Sequence, residues 1–361
     1  MTLLPPRWVR RLVFGPGLIV ATLLALTTLP VWILVAAVLS RFAPGRLRPL
    51  RLMWIVILQL VTESVILVVL FGIWLMSGFG WAIRRPYFER LHYDIVGAYL
   101  RIMFREASRV LSLSVEVEGP APDAHPGSPV LVCCRHAGPG DSFIVMHALV
   151  NWYDREPRVV LKDTLQWDPM VDVILNRLPS RFISPNPGRD GDAVERQIAM
   201  LATDLDANDA FVIFPEGGNF TPGRRARAID RLHRLGLERM ARRAERMRHV
   251  IAPRPGGVIA ALDASPESDV LLVAHTGLDH LLTVADLWRE LPMDKAIVMR
   301  WWRVPRSEIP AGRDERIDWL FGWWERVDAW IGENRAVEPG PATGTAAMLE
   351  EHPGSPTDRD G

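Results

Sequence analysis

Two long apolar stretches near the N-terminus are followed by a series of shorter segments, which are alternately apolar and polar. Residues 12–39 carry no charge, and within residues 52–83 the only charged side chain is Glu63. Each stretch exceeds the roughly 20 apolar residues that a helix needs to cross a bilayer. The first stretch is too long for a cleaved signal peptide, and no small-residue cleavage site precedes a polar region. We therefore predict a membrane-anchoring unit of helices over residues 1–86.

Arginines flank both apolar stretches. They lie before the first, between the two and after the second, at Arg7, Arg10, Arg11, Arg41, Arg46, Arg48, Arg51, Arg84, Arg85 and Arg90. A two-span hairpin would place one of these clusters outside, against the positive-inside tendency. A re-entrant first segment, turning near Pro30 or at Gly15-Pro16-Gly17, would keep all three clusters in the cytosol. The sequence leaves both topologies open.

Residues 87–333 alternate between strand-like and helix-like patterns. Short apolar or alternating runs predict strands at 113–119, 129–134, 158–162, 181–184, 210–215, 269–275 and 296–302. Helical patterns cover 87–112, 141–153, 193–206, 223–248 and 317–331. Such alternation predicts an α/β domain with a mixed, mostly parallel sheet flanked by helices. Residues 334–361 are polar and rich in proline and glycine, which predicts a disordered tail.

The side chains of two helical patterns can each be interpreted in two ways. Residues 223–248 are rich in arginine, which indicates either a solvated helix or a basic face toward phosphates or lipid headgroups. The pattern at 317–331 places several tryptophans on one face, which suits either core packing or the membrane interface.

Composition and charge restrict the class of protein only in part. The chain has 361 residues with 42 Lys plus Arg and 42 Asp plus Glu, so its net charge gives no argument for nucleic-acid binding. Cys133 and Cys134 are adjacent, and neighbouring residues rarely satisfy disulfide geometry. A reduced, cytosolic location is therefore expected. The spacing of His275, Asp279 and His280 fits no standard set of metal ligands, and no metal is predicted.

The stretch CCRHAGPGD places His136 and Asp141 five positions apart, directly after a predicted buried strand. The carboxyl edge of a sheet is where α/β proteins build their sites. A carboxylate about one turn away can hold an imidazole in one tautomer and stabilise its charged form. The pair therefore predicts a general base for a hydroxyl, while the structural alternative for Asp141 is a helix N-cap.

A second motif, FVIFPEGGNF, follows another predicted buried strand and contains Glu216, Gly217 and Gly218. Glycines leave backbone amides open to an anion or to the oxygens of a substrate. Because both motifs end a strand of the predicted sheet, we expect them to converge.

In this order the motifs resemble those of the glycerolipid acyltransferase family, which are Asn-His-x4-Asp and Phe-Pro-Glu-Gly-Thr-Arg. The stretches FPEGGNFT, APRPGG at 252–257 and RWWRVPRSEIP at 300–310 are similar to motifs of its lysophospholipid acyltransferase subgroup. The resemblance covers about residues 130 to 310. It implies a membrane-bound enzyme that moves a fatty acyl group to the hydroxyl of a lysophospholipid or of lysophosphatidic acid. The donor would be acyl-CoA or acyl carrier protein, with no cofactor, no metal and no nucleic-acid partner.

The same resemblance assigns roles to individual residues. His136 would be the general base that deprotonates the acceptor hydroxyl, and Asp141 its orienting carboxylate. Glu216 and Gly217 match the acceptor-binding motif, and Gly218 continues that motif. Lys162 matches a lysine common in the family and would suit phosphate binding.

The sequence departs from the family at three positions. Arg135 stands where the family has asparagine, and Pro185 lies close to the position of a phosphate-binding arginine. Asn219 replaces the arginine of the third motif. Either other arginines supply the missing phosphate contacts, or the acceptor lacks a terminal phosphate. The candidate replacements are Arg135, Arg181, Arg189, Arg224 and Arg254.

Several alternatives therefore remain open at this point. A lysophospholipid with a substituted headgroup or a glycolipid stands beside lysophosphatidic acid as the acceptor. Two further alternatives concern the activity itself. The protein would then be an acyl-thioester hydrolase or a catalytically decayed membrane protein. The expected location is the cell membrane, with the catalytic domain on the cytoplasmic face and the acceptor drawn from the adjacent leaflet.

Overall fold

The computed structural model describes residues 4–42, 47–119, 127–183, 191–277, 288 and 295–334. These residues form a group of apolar N-terminal helices and an α/β domain. Several sequence predictions fall outside the described residues. They are the disordered tail beyond Asn334 and the expectations for Pro185, Arg189, Asp279 and His280.

The N-terminal helices are α1 (Arg7–Val9), α2 (Gly15–Thr27), α3 (Leu29–Leu39) and α4 (Arg48–Met76), with a π-helical turn at Arg10–Phe14. Pro16 and Pro30 lie in the first turns of α2 and α3, where a missing N–H breaks no hydrogen bond. Both helices pack on α4, and Ser64 Oγ donates to Thr22 Oγ1 at 2.8 Å. The helical segments 7–27 and 48–76 are long and apolar enough to cross a membrane.

Seven strands form one sheet. They are β1 (Leu113–Glu118), β2 (Val130–Cys134), β3 (Glu156–Lys162), β4 (Ser180–Ile183), β5 (Asp209–Ile213), β6 (Asp269–Thr276) and β7 (Lys295–Val304). Their order is β1-β7-β6-β2-β5-β3-β4. All neighbouring pairs are parallel except β6 and β7, which are antiparallel. The predicted mixed, mostly parallel α/β sheet is confirmed.

The described helices of the α/β domain are α5 (Pro86–Leu111), α6 (Pro139–His147), α7 (Pro169–Leu175), α8 (Gly191–Ala202), α9 (Pro222–Arg234), α10 (Glu238–Arg246), α11 (Pro255–Ala264) and α12 (Arg313–Asn334). The prediction of one helical pattern over 223–248 is wrong, because α9 and α10 are separate. Gly236 lies between them with φ +70°. This left-handed conformation favours glycine and commonly ends a helix.

Both faces of the central strands are covered. Every residue of β2 and β5 is buried. Leu131 and Phe211 pack with α8, α10, α11 and α12, while Val132 and Val212 pack with α6 on the other face. Strands buried on both faces are expected to be continuous apolar runs, which explains why the sequence pattern located them.

Helix α12 forms part of this core. Its buried apolar side chains are Leu320, Phe321, Trp324, Val327, Trp330 and Ile331. Of the two interpretations of this pattern, the structure supports core packing for these residues.

A buried ion pair joins the N-terminal helices to the α/β domain. Arg10 Nη2 lies 2.7 Å from Asp172 Oδ1, and Arg11 Nε lies 3.2 Å from Asp172 Oδ2. Arg10 Nη2 also donates to Gln166 Oε1 at 3.1 Å. Because Asp172 lies in α7, which follows β3, these contacts hold the N-terminal helices near the carboxyl end of that strand.

Candidate active site

The two predicted motifs lie side by side at one edge of the sheet. Strands β2 and β5 run parallel, and Cys133 pairs with Ile213, so the chain leaves both strands at the same edge. The rings of His136 and Phe214 have centroids 4.6 Å apart. The backbone N–H of Phe220 donates to the carbonyl oxygen of His136 at 2.7 Å. Parallel pairing of neighbouring strands therefore brings the motifs into contact.

The buried carboxylate of Glu216 ties the two motifs together. Its side chain accepts the backbone N–H of His136 on Oε1 at 3.2 Å and that of Ile251 on Oε2 at 3.0 Å. Glu216 is 2 % exposed, so these charge-assisted hydrogen bonds lie away from competing water. The carboxylate fixes the backbone that carries His136. These two contacts are those of a positioning group, and the acceptor-binding role that the family resemblance implies stays a prediction.

His136 has the properties of a neutral base. Its ring is half-buried, and Nδ1 has no hydrogen-bond partner among the described residues. Asp141 belongs to the first turn of α6, but its side chain lies outside the described structure, so the His136–Asp141 pair stays a prediction. The pKa of His136 is lowered to about 4, mainly by burial and to a smaller extent by the neighbouring Lys162, His275, Arg224 and Arg135.

For the predicted role of His136 as a general base, this pKa predicts the pH dependence of the reaction. The base acts only in its neutral form, and a lowered pKa keeps the ring neutral until the pH falls to about 4. We expect kcat/KM, which reports the free enzyme, to change little between pH 8 and pH 5 and to fall at lower pH. The measurement is the pH profile of initial rates with a donor and an acceptor whose own charges are constant over this range. An acid limb centred near the ordinary histidine pKa of ~6.5 would contradict it.

Two guanidinium groups lie against the glycines of the second motif. A Cβ atom added to Gly217 would lie 3.0 Å from Arg254 Cζ, and one added to Gly218 would lie 3.3 Å from Arg224 Nη1. Gly217 also has φ +70°, a conformation that other residues rarely adopt. The Arg254 backbone N–H donates to Pro215 O at 2.8 Å. The absence of side chains at both glycines thus allows close approach of two cations to the loop.

Lys162 is a third cation at this edge, at the end of β3. Burial lowers its pKa, with a smaller contribution from the charge of Arg224. Burial also lowers the pKa of Arg254. The charges of Lys162 and Arg224 both act on His136. The base therefore lies in a strongly positive environment, which favours a negatively charged group nearby.

Of the other arginines predicted to bind substrate, the structure describes Arg135 and Arg181. Arg135 is 1 % exposed and donates to His275 O at 2.8 Å and to His249 O at 3.1 Å. These contacts brace the end of β6 and indicate a structural role. Arg181 is exposed on β4, an edge strand, and none of its described contacts joins it to His136.

Sequence reasoning assigned no place in the site to two neighbours of His136. Phe214 packs against its ring, and His275, 3 % exposed, hydrogen-bonds through Nε2 to Arg135 O at 3.2 Å. His275 ends a buried strand beside β2, and that strand-end position is the signal that could have identified it. Its hydrogen bond to a backbone carbonyl indicates a structural role for this histidine.

Comparison with known proteins identifies a domain that includes His136, Lys162, Glu216, Arg224 and Arg254. Residues 114–259 match the family model described as Acyltransferase. An uncharacterized acyltransferase of Schizosaccharomyces pombe is 22% identical over 184 residues, or 48% of this chain and 50% of that protein. The chain thus spans about half the length of that relative. The crystal structure of the 1-acyl-sn-glycerophosphate (LPA) acyltransferase PlsC from Thermotoga maritima aligns with TM-score 0.47 and 15% identity, over 80% of this chain and 100% of that one.

Proposed function

We propose that the chain, whose residues 114–259 match the family model described as Acyltransferase, transfers a fatty acyl group from a thioester to a lipid hydroxyl. The observation that carries the proposal is the position of His136. The Glu216 carboxylate fixes the backbone that carries this neutral imidazole at the edge of the sheet, among cationic side chains. A neutral base beside an anion-binding surface suits deprotonation of a hydroxyl on an anionic lipid.

The reaction uses His136 to move one proton. The ring accepts the proton of the acceptor hydroxyl as the hydroxyl oxygen attacks the thioester carbonyl, and a C–O bond forms. The tetrahedral intermediate collapses when the C–S bond breaks, and the proton passes from His136 to the leaving thiolate. Asp141 would orient the ring and stabilise its protonated form during the step.

The acceptor that best fits this site is a lysolipid with a phosphate. Lys162, Arg224 and Arg254 supply three cations near the base. These cations replace the phosphate contacts that the departures at Pro185 and Asn219 remove from the family pattern. Charge-assisted hydrogen bonds to phosphate are roughly twice as strong as neutral ones. This favours lysophosphatidic acid or another phosphate-bearing lysolipid over an uncharged glycolipid.

We expect Arg254→Gln and Lys162→Met each to raise the KM for lysophosphatidic acid by about 10- to 100-fold, with a smaller effect on kcat. Hydrogen bonds to charged groups contribute about 1.5–3 kcal/mol, which corresponds to that range of affinities. The measurement compares lysophosphatidic acid with a monoacylglycerol, which lacks the phosphate. Arg181→Gln is the matched control, because Arg181 is exposed on the edge strand. Equal increases for both acceptors would refute a phosphate contact.

We propose that α2, α3 and α4 hold the enzyme in the membrane. Their apolar side chains are widely exposed, including Leu24 at 62 %, Leu34 at 66 % and Phe71 at 59 %. Exposed apolar surface of this extent is characteristic of contact with lipid. Cys133 and Cys134 are buried and form no disulfide in the described part of the chain, which fits a cytoplasmic domain. The acceptor would then come from the cytoplasmic leaflet, while the donor would come from the aqueous phase as acyl-CoA or acyl carrier protein.

A further inference from the structure

One face of α9 carries a row of exposed arginines. Arg224, Arg227, Arg231 and Arg234 are exposed and follow the spacing i, i+3, i+7 and i+10, which places them on one side of a helix. We call these four residues the arginine row. At a rise of about 1.5 Å per residue, the row is about 15 Å long.

The opposite face of α9 fixes the direction of the row. Arg225 donates to Met247 O at 2.6 Å and to Glu245 O at 2.8 Å, at the end of α10. Ile229 and Leu232 are partly buried against the apolar core. Because this face is attached to the domain, the arginine row is held toward solvent.

The arginine row differs from the neighbouring arginines of α10 in its partners. On α10, Arg239 lies 2.8 Å from an oxygen of Asp318, and Arg243 lies 2.8 Å from an oxygen of Glu325. In the described part of the chain, no ion pair joins the arginine row to a carboxylate. Arg227 and Arg234 donate instead to backbone oxygens of their own helix, at 3.1 and 3.3 Å. Like charges on one helix face repel each other, and an anion bound along the row would relieve this repulsion.

The row begins at the candidate active site. Arg224 Nη1 donates to Asn219 O at 3.0 Å, and its guanidinium lies against Gly218 of the second motif. The charge of Arg231 acts on Arg254, whose guanidinium lies against Gly217. A molecule bound along the row is therefore continuous with the space around His136.

We propose that the part of the arginine row beyond Arg224, which is Arg227, Arg231 and Arg234, binds the phosphate end of the phosphopantetheine arm of the acyl donor. The inference rests on the proposed acyl transfer. In such donors a long, uncharged arm separates the reacting thioester from its phosphate, so the phosphate must bind well away from the base. The acceptor phosphate, in contrast, lies close to the reacting hydroxyl and suits Lys162 and Arg254. Coenzyme A and acyl carrier protein both supply a phosphate at the end of this arm.

The test removes three charges from the row in the full-length, detergent-purified protein. The variant is Arg227→Gln/Arg231→Gln/Arg234→Gln, which leaves Arg224 in place. The matched control, Arg239→Gln/Arg242→Gln/Arg246→Gln, removes three charges from α10, where exposed ion pairs contribute little to stability. Donor KM and kcat are measured with oleoyl-CoA, oleoyl-acyl carrier protein and oleoyl-pantetheine, which lacks phosphate. Thermal unfolding confirms that both variants are folded.

We expect the row variant to raise the KM for a phosphate-bearing donor at least tenfold, with kcat within about a factor of two, and to leave the KM for oleoyl-pantetheine unchanged. The α10 control should leave the KM unchanged both for the phosphate-bearing donors and for oleoyl-pantetheine. A higher KM for oleoyl-CoA alone, for oleoyl-acyl carrier protein alone or for both supports phosphate binding by the row and identifies the source of the phosphate.

An unchanged KM for both phosphate-bearing donors would overturn the proposal. The proposal would also be overturned if the row variant raised the KM for oleoyl-pantetheine equally, or if the α10 control raised the donor KM as much as the row variant. If the wild type forms no product with any donor, the proposed function itself fails. An active wild type with an unaffected row variant would leave acyl transfer in place and eliminate only the donor site.

Discussion

Replacing His136 by alanine is expected to lower kcat for acyl transfer by about 10²- to 10⁴-fold, the usual contribution of a positioned general base. The acceptor hydroxyl would then have to lose its proton without the imidazole. The fold should survive, because Glu216 is bonded to the backbone N–H of residue 136 and not to its ring. The measurement is single-turnover acyl transfer, with thermal unfolding as the check on the fold.

The matched control is His233→Ala. His233 lies on the surface of the domain and hydrogen-bonds to Glu238 and Glu245 at 3.0 Å, away from the second motif. This variant should transfer acyl groups at the wild-type rate. If His136→Ala also keeps that rate, His136 is not the base.

Removing the Asp172 carboxylate is expected to destabilise the protein by about 3–5 kcal/mol, as is typical when one partner of a buried ion pair is lost. The side chains of Asp172 and Arg10 are 1% and 5% exposed. Asp172→Ala would leave the charge of Arg10 buried without its counter-ion. We expect a lower thermal midpoint in detergent and faster proteolysis between the N-terminal helices and the α/β domain.

The double variant Arg10→Met/Asp172→Leu separates charge burial from loss of packing. Apolar replacement of both partners is often close to neutral, so this variant should recover most of the lost stability. Arg109→Ala is the surface control, since Arg109 is 65% exposed and pairs with Glu106. If Asp172→Ala is no less stable than Arg109→Ala, the buried pair does not secure the N-terminal helices.

The sheet could be predicted because its central strands have an unambiguous pattern. The apolar runs in β2 and β5 are covered on both faces, and no exposed position interrupts them. The end of α9 was not predicted, because the arginines on either side of Gly236 continue a helical pattern. Only the backbone conformation of Gly236, with φ +70°, shows that the helix stops there.

The sequence predicts the motifs of the candidate site but only some of the contacts between its residues. Both motifs end neighbouring parallel strands, so their convergence follows from the sheet. The role of Glu216 depends on the N–H of Ile251, which lies 35 positions away along the chain, and no local pattern reveals that contact. The approach of Arg224 and Arg254 to the two glycines likewise depends on how separate segments pack.

The most direct test of the central claim is product analysis with the wild-type protein. Purified protein is incubated with labelled oleoyl-CoA and, in parallel, with lysophosphatidic acid, a lysophospholipid with a substituted headgroup, a monoacylglycerol and a glycolipid. We expect label in the diacyl product of a phosphate-bearing lysolipid, with release of one thiol for each ester formed. Release of free oleate alone with every acceptor would contradict acyl transfer and indicate thioester hydrolysis.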